Sequence, residues 1–597
     1  MSPPGAAPLS TIEDAAARLA RSVPLSCAVL VVASLPIFFW GIGTIEVSDI
    51  VEERVAVTSR EMWRSGDWVI PRMNGEVRLQ KPPLAYWLPA LTAKVRGRFD
   101  DVSLRLPFAL AALALVLFTW GAGRMLFGPE TGLVAGLVVL TTALVERGGH
   151  TASADVLLAA SVAGAWFFHA RARGLDPPEG RSLLLWLSIA VGFVAKGPVV
   201  LVFTVLPMLL EAAVWRSRGP LRPLAGLVGP LLFLVVSLAW FVIVEIRLET
   251  DTNTQGLRSL RQWFLETWGK MAPSEGVEEG YKYLKHPQPW HFYVLRIPAV
   301  FTFWTPFVLL GLVVSVKRCV GSRGRGAPPE AQPLWWFLTT FLFMSAITEK
   351  KIAYVLPLAP AGALLGARAI EVCHVRCRTI LRGALASASL LACAVAVMAV
   401  AAAVLPEILD HVPVLSSNPE VRALLENCAG SLALLGAIVL VGCAAAGLLA
   451  VCSSPLPWVL SLTLAVSLAM VPYQDLSREA KRGEWVGEDS RRVGLALQSD
   501  ARVLAVGRLP AGTLYYLDRR LTPVAVEDAR GHAAEAPPGT AILIPASVIR
   551  DIASWPSGFD VVGALPKLFP GYELRAIINP GARSERERVY YLERVPG

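Results

Sequence analysis

Carboxylates and amines at the ends of long apolar runs are costly near lipid, so each one calls for a physical reason. The richest such segment opens Glu46-Val-Ser-Asp49-Ile-Val-Glu52-Glu53-Arg54, directly after an apolar run. Asp49 and Glu52 stand at i, i+3 and would share a helix face at the membrane boundary. A carboxylate there can act as a general base or bind a cation. The plain alternative is a solvated amphipathic interface helix. The segment continues through Ser59-Arg60-Glu61-Met62, Gly66-Asp67-Trp68 and Asn74-Gly75-Glu76 to Gln80-Lys81-Pro82-Pro83-Leu84-Ala-Tyr86-Trp87.

Three further clusters sit at the ends of apolar runs. Arg147-Gly-Gly-His150-Thr-Ala-Ser153-Ala-Asp155 leads straight into one. Asp155 alone would be read as a helix cap. A second acid at the same interface as Asp49 and Glu52 is less easily dismissed. Lys196-Gly197-Pro198 separates two apolar runs; its lysine either snorkels to the interface or binds a phosphate. Thr348-Glu349-Lys350-Lys351-Ile-Ala-Tyr354-Val-Leu-Pro357 puts two adjacent lysines on the side that is otherwise poor in them. Holding an anionic head group is the job this suggests, with phosphate the natural candidate. Acids and phosphate-suited bases thus converge on one face. That fits group transfer from a lipid-phosphate donor: a carboxylate takes a proton from an acceptor hydroxyl, which attacks an anomeric carbon. Lys and Arg stabilise the phosphate that leaves.

The elements that must position these groups follow from composition. The 597 residues are 54% hydrophobic and only 17% charged, against about 25% charged in soluble domains. Most of the chain is therefore solvated by lipid. Apolar runs fall near 24–44, 104–126, 131–146, 155–170, 182–195, 198–214, 223–246, 291–315, 332–347, 352–369, 383–404, 428–452 and 457–473, about thirteen helical spans, some shorter than the usual 20 residues. The first is read as a true span rather than a signal peptide. Alternate loops are basic: Arg171, Arg173 and Arg181; Arg216, Arg218 and Arg222; Lys317, Arg318, Arg323 and Arg325; Arg368, Arg376, Arg378 and Arg382. They lie on the side of the N-terminus, which is thereby expected to be cytoplasmic. The net charge of +9 is then topology plus a phosphate site, and a nucleic-acid partner is unnecessary.

The expected organisation is a cytoplasmic segment at 1–23 and a transmembrane domain at 24–473. Its outer loops are 45–103 and 247–290, with a short stretch near 405–427. A soluble tail at 474–597 follows. Charged residues make up about a quarter of that tail, a soluble-domain value. Its short runs Arg502-Val-Leu-Ala-Val, Ala541-Ile-Leu-Ile-Pro and Arg588-Val-Tyr-Tyr-Leu read as strands of a small α/β or α+β domain outside the membrane. Cys373-His374-x-x-Cys377 makes a poor zinc site, lacking a second pair of ligands nearby; free reduced thiols are expected instead.

The sequence resembles the bacterial, ArnT-like members of the protein O-mannosyltransferase superfamily. The motifs that carry this are Asp49-x-x-Glu52-x-Arg54, Arg60-Glu61-Met62, Gly66-Asp67-Trp68, Asn74-Gly75 and Lys81-Pro82-Pro83. Ser153-x-Asp155, Lys196-Gly197-Pro198 and Glu349-Lys350-Lys351-x-x-Tyr354-x-Leu356-Pro357 follow in order. They cover roughly 24–370. The resemblance implies a mainly α polytopic protein of GT-C fold that moves a sugar from a polyprenyl-phosphate carrier to a lipid or protein acceptor. It places this chemistry outside the cytoplasm, at the bacterial inner membrane, with the C-terminal domain periplasmic. It also implies residue roles. The catalytic carboxylate is Asp49 or Glu52, since Val51 stands where the family carries an Asp beside the Glu. Asp155 is the second acid. Lys81 holds the carrier phosphate, helped by Arg54 and Lys350 or Lys351, with Tyr86, Lys196, Glu349 and Tyr354 also in the substrate site. Gln80 replaces a metal-binding Glu of the aminoarabinose transferases, which makes zinc doubtful and leaves a divalent metal open. His286 and His291 are read as interfacial histidines near Trp290.

Two other readings remain open at this level. A transporter or lipid flippase would need as many spans, but predicts charges at the midplane and inverted repeats. A catalytically inactive relative that binds the carrier lipid would explain Val51. The sugar, an aminopentose or a hexose, and the acceptor, such as lipid A, another lipid or a protein, are set by pocket shape.

Overall fold

A computed structural model describes residues 6–47, 49–173, 179–250, 288–322, 326–376, 429–449, 454–480 and 486–497. It also describes 502–507, 509–518, 521–545, 568–578 and 588–594, and a few isolated positions. The expected span at 383–404, the stretch near 405–427, most of the 247–290 loop, His286 and Cys377 lie outside them. The chain divides into two compact units. One comprises 1–42, 79–88 and 105–476; the other comprises 43–78, 89–104 and 477–597. The first outer segment therefore groups mostly with the C-terminal tail, whereas chain order had suggested a loop of the membrane domain. Only 79–88, with Lys81 and Tyr86, belongs to the helical unit.

The first unit is helical because lipid offers no hydrogen-bonding partner to exposed backbone. Among the described residues five helices are long and apolar enough to cross a membrane: Asp101–Phe127, Val228–Glu249, Phe292–Gly321, Gly430–Leu449 and Leu456–Gln474. Two bent pairs, Thr11–Arg21 with Val23–Phe39 and Pro129–Leu140 with Ala143–His150, bring this to seven. The protein is a multi-pass membrane protein. The expected runs at 155–170, 332–347 and 352–369 form the helices Ala154–Arg173, Ala331–Ala346 and Leu358–Arg376. Two expected spans are broken. The bend of 61° after Leu140 coincides with Thr141 and Thr142, whose hydroxyls donate to the carbonyls of Leu137 and Val138. The run 198–214 divides at Thr204, whose hydroxyl donates to Val200 O at 2.7 Å. Such back-bonding competes with the helix ladder and bends it.

Helices approach closely where glycine replaces a larger side chain. A Cβ at Gly311 would lie 2.2 Å from the Leu365 carbonyl oxygen, and one at Gly362 would enter the Phe301 ring.

The second unit contains a five-stranded mixed sheet and a separate hairpin. The hairpin joins β1 (Arg72–Met73) to β2 (Glu76–Val77). Asn74 and Gly75 both have positive φ, 54° and 83°, the Asn-Gly turn that suits a two-residue hairpin. The sheet is built from β3 (Val503–Val506), β4 (Thr522–Val524), β5 (Ala541–Pro545), β6 (Tyr572–Ile578) and β7 (Val589–Arg594). Their order is β4-β3-β5-β7-β6, with β3 parallel to β4 and β5, and β7 antiparallel to β5 and β6. Both central parallel strands, β3 and β5, are buried throughout, as strands covered on two faces must be. Leu504, Val506, Ile542, Ile544, Phe569 and Tyr572 form the core. This is the small α/β domain expected of the tail.

Candidate active site

The helical unit gathers four of the singled-out clusters. Ala154–Arg173 begins at the Ser153-Ala-Asp155 motif. Ser153 Oγ accepts the Asp155 backbone N–H at 3.1 Å and donates to Asp155 Oδ2 at 2.7 Å. The cap thus fixes the rotamer of its own acid. Glu179–Lys196 ends at Lys196 because Gly197 takes φ 88° and returns its N–H to Phe193 O at 2.7 Å. Pro198 then cannot continue the helix. These two helix ends put the Lys196 ammonium on Asp155 Oδ1 in a direct ion pair. Lys196 Nζ also lies 4.3 Å from the centroid of the Tyr354 ring, a cation–π contact strengthened where water is scarce.

Two more groups reach this pair. The charge of Lys81 acts on the Asp155 carboxylate, and the Tyr293 phenol lies within electrostatic range of both Asp155 and Glu349. Tyr293 Oη donates to the Lys351 carbonyl at 3.0 Å. Lys81, Asp155, Lys196, Glu349, Lys351 and Tyr354 are therefore grouped in one unit, although Lys81 and Tyr354 are 273 positions apart in the chain. Tyr293 was not foreseen; its only sequence signal was a place in an aromatic stretch, Trp290-His-Phe-Tyr293.

The two adjacent lysines play different parts. Lys350 is 6% exposed. Its ammonium donates to the backbone carbonyls of Ile347 and Gln288, the latter at 2.9 Å. It ties the 347–351 turn to the chain at Gln288, whose N–H reaches Thr348 O at 3.2 Å. Lys351 is exposed, which leaves its ammonium accessible to an anion. Tyr86 is buried in the same unit. His291 is exposed, with Trp290 packed edge-on at 5.6 Å.

Asp49, Glu52 and Arg54 belong to the second unit, on the helix Ile50–Ser65. Asp49 is its N-cap: Oδ1 accepts the Val51 N–H at 2.9 Å. Glu52, in the first turn, is 3% exposed. Arg54 is half-buried. The remaining motifs of the segment are structural. Glu61 receives the backbone N–H groups of Asn74 and Gly75, the second at 3.1 Å, and so holds the hairpin turn. Asp67 Oδ1 accepts the N–H groups of Val69 and Ile70. Gly66 ends the helix at φ 71°.

The metal site of the resemblance meets a poor donor set here. Gln80 offers a neutral amide oxygen in place of a carboxylate. Among the described residues no three His, Cys, Asp or Glu side chains converge. Cys373 is a reduced cysteine.

Comparison with known proteins follows the same outline. Residues 80–242 match the family model described as dolichyl-phosphate-mannose-protein mannosyltransferase. That stretch holds Lys81, Tyr86, Asp155 and Lys196. The undecaprenyl phosphate-alpha-4-amino-4-deoxy-L-arabinose arabinosyl transferase 1 of Sodalis glossinidius is 30% identical over 329 residues, 53% of this chain and 54% of that one. The corresponding transferase of Edwardsiella ictaluri is 29% identical over 324 residues, with 53% and 54% covered. The chain thus spans about half the length of the curated relatives it matches. The crystal structure of ArnT from Cupriavidus metallidurans bound to undecaprenyl phosphate superposes with a TM-score of 0.72 at 19% identity, covering 95% of this chain and 97% of that one. The chain therefore has the GT-C fold of ArnT almost throughout, and across residues 80–242 it is similar in sequence to the dolichyl-phosphate-mannose-protein mannosyltransferase family.

Proposed function

We propose that this chain is a membrane glycosyltransferase that moves a sugar from a polyprenyl-phosphate donor to a hydroxyl of an envelope lipid, glycan or protein. The reaction takes place on the periplasmic side of the bacterial inner membrane. The N-terminus is cytoplasmic and the tail beyond 474 periplasmic. The observation that carries this reading is the meeting of Lys196 and Lys81 with Asp155, with Tyr354 under the Lys196 ammonium, in a chain with the ArnT fold. Lysines grouped with Asp155 and Glu349, at helix ends, suit a lipid phosphate.

In the reaction a carboxylate accepts the proton of the acceptor hydroxyl as its oxygen attacks the anomeric carbon. The bond from that carbon to the phosphate oxygen breaks, with inversion. The carrier leaves as its phosphate monoester, and Lys81 and Lys351 stabilise the charge that develops on it. Asp155 holds Lys196 by direct ion pairing and so sets the position of that ammonium. Between the two candidate bases, Glu52 is favoured. Asp49 gives one oxygen to the helix it caps, while Glu52 is buried in the first turn of that helix, where a carboxylate is the stronger base.

The test is transfer by purified protein in detergent, with undecaprenyl-phosphate sugars as donors and no membrane gradient. Glu52→Gln should lose at least about a hundredfold in kcat, and Asp49→Asn much less. Wild-type rates in both Glu52→Gln and Asp155→Asn would sink the reading. Donor movement that needs a gradient and yields no free carrier phosphate would make the protein a transporter instead.

A further inference from the structure

The helix that carries Asp49 and Glu52 is gripped at three heights by one short helix of the C-terminal tail, Ala511–Leu517. All of these residues belong to the second unit. The highest contact is at the entry. The Val47 N–H, two residues before Asp49, donates to Tyr516 Oη at 2.6 Å. Tyr516 Oη in turn donates to Asp101 Oδ2 at 3.4 Å, and Tyr515 Oη to Asp101 Oδ1 at 2.9 Å. Burial, reinforced by the Asp101 charge, pushes the Tyr515 phenol well above its usual range, so it stays a donor. Arg491 lies over the Tyr516 ring at 4.4 Å and pairs with Glu46 at 3.5 Å.

The second contact is in the first turn. A Cβ on Gly512 would stand 2.6 Å from Glu53 Oε1, so the Glu53 carboxylate packs on the start of the short helix. The third is two turns further on. Arg60 donates to the carbonyls of Leu514 at 2.8 Å and Tyr515, and to Asp518 Oδ1 at 2.9 Å. Its guanidinium lies 5.2 Å from the Tyr515 ring centroid. Asp518 sits in the left-handed region at φ 56° and also takes Arg64 at 2.6 Å. Glu53 and Arg60 are seven residues apart, hence on one helix face. An acid meets the start of the short helix and a cation its end, matching the sign of its dipole.

These contacts fix three coordinates of the acid-bearing helix. Arg60 on two successive carbonyls sets its height. The Glu53–Arg60 pair sets its rotation. Tyr516 sets the direction from which the chain enters the cap at Asp49. We propose that the C-terminal tail acts, through Ala511–Leu517, as the positioning element of the catalytic carboxylate, with Arg60 and Tyr516 as positioning residues. This rests on the glycosyltransferase reading above. It gives the tail a part in the rate of transfer and none in holding the donor. A base moved by a fraction of an ångström loses proton-transfer geometry, while Lys81 and Lys351 lie on other elements.

The experiment uses the full-length protein in detergent with Tyr516→Phe, Arg60→Met, Arg60→Lys and, as a control on the same domain, Arg575→Ala. Two quantities are read: kcat and KM for an undecaprenyl-phosphate sugar, and amide hydrogen exchange over 47–56 and over β5. Tyr516→Phe and Arg60→Met should lower kcat about tenfold or more, with donor KM within twofold. Exchange should quicken over 47–56 while β5 stays protected. Arg60→Lys should recover part of kcat, since an ammonium still reaches the carbonyls. Arg575→Ala should change neither quantity. Unchanged kcat in both Tyr516→Phe and Arg60→Met overturns the proposal, whatever the exchange rates do. So does a loss of β5 protection in step with 47–56, because the effect is then collapse of the domain. A wild-type chain that consumes no polyprenyl-phosphate sugar overturns the functional reading itself, a result distinct from either.

Discussion

The helix Ala154–Arg173 carries an ion pair at each end, and the two differ in their surroundings. At its last turn Arg173 meets Glu211 at 2.8 Å, and Glu211 is fully buried. Next to it in the fold Glu330 is held by Arg318 at 2.7 Å and Arg368 at 2.9 Å. Arg368 also takes Glu371 at 2.7 Å, and Glu371 accepts from the Thr131 hydroxyl. Three guanidiniums face three carboxylates, so the charge there is balanced. At the first turn Asp155 pairs with Lys196, but Lys81 also bears on it, and Lys351 stands exposed nearby. Among the described residues Lys81, Lys196 and Lys351 stand there with Asp155 and Glu349. A set of guanidinium–carboxylate pairs built on two buried glutamates ties helices together, whereas lysines grouped around a carboxylate suit an anion. The same pairing chemistry thus does two jobs, distinguished by local charge balance.

That contrast can be broken most directly by exchanging acids for amides at both ends. Asp155→Asn should lower kcat by about a thousandfold, since it frees Lys196 from its set position. Glu211→Gln should leave kcat within twofold. Equal losses of transfer in both would erase the distinction. Glu330→Gln should show the converse. Removing one member of a buried pair costs about 3 kcal/mol or more, read as an earlier thermal transition in detergent, with donor KM unchanged in the protein that remains folded.

Smaller effects sharpen the open end. Lys351→Ala should raise donor KM about tenfold, the equivalent of about 1.4 kcal/mol, and Lys350→Ala should instead lower the melting transition with KM unaltered. If Lys350 proves the KM residue, the assignment of the two lysines is reversed. The smallest change is expected at Tyr354. Its leucine variant removes a cation–π contact worth about 1 kcal/mol and should slow transfer about fivefold, while Tyr354→Phe, which keeps the ring, should stay near wild type.

What could be read in the sequence followed the cost of charge near lipid. Lys81, Asp155, Lys196, Glu349, Lys351 and Tyr354 were legible because a titratable group at the end of an apolar run is rare enough to be noticed singly. Their pairing was not legible. Nothing in the spacing of Asp155 and Lys196 says that the ends of two consecutive helices meet. The inner-loop arginines were read as orientation signals only. Their acids were missed because Glu211 lies inside Leu209-Leu-Glu211-Ala-Ala-Val, where one charge in an apolar run looks like noise. The helical class and the small α/β domain followed from hydropathy and from short β-branched runs. The grouping of 43–78 and 89–104 with the tail did not, since it depends on Arg60 finding carbonyls more than 450 residues away.

One detail of the second unit bears on how this protein ages. An asparagine followed by glycine is the dipeptide most open to loss of ammonia. The glycine nitrogen attacks the side-chain amide carbon, and a cyclic imide opens to aspartate or isoaspartate. At Asn74-Gly75 the attacking nitrogen donates its hydrogen to Glu61 Oε2 at 3.1 Å, and the turn holds Asn74 in a left-handed conformation. The folded hairpin therefore withholds the nucleophile, and the unfolded chain releases it. Conversion of Asn74 in stored protein records the time the hairpin has spent open, a chemical clock that a peptide map can read.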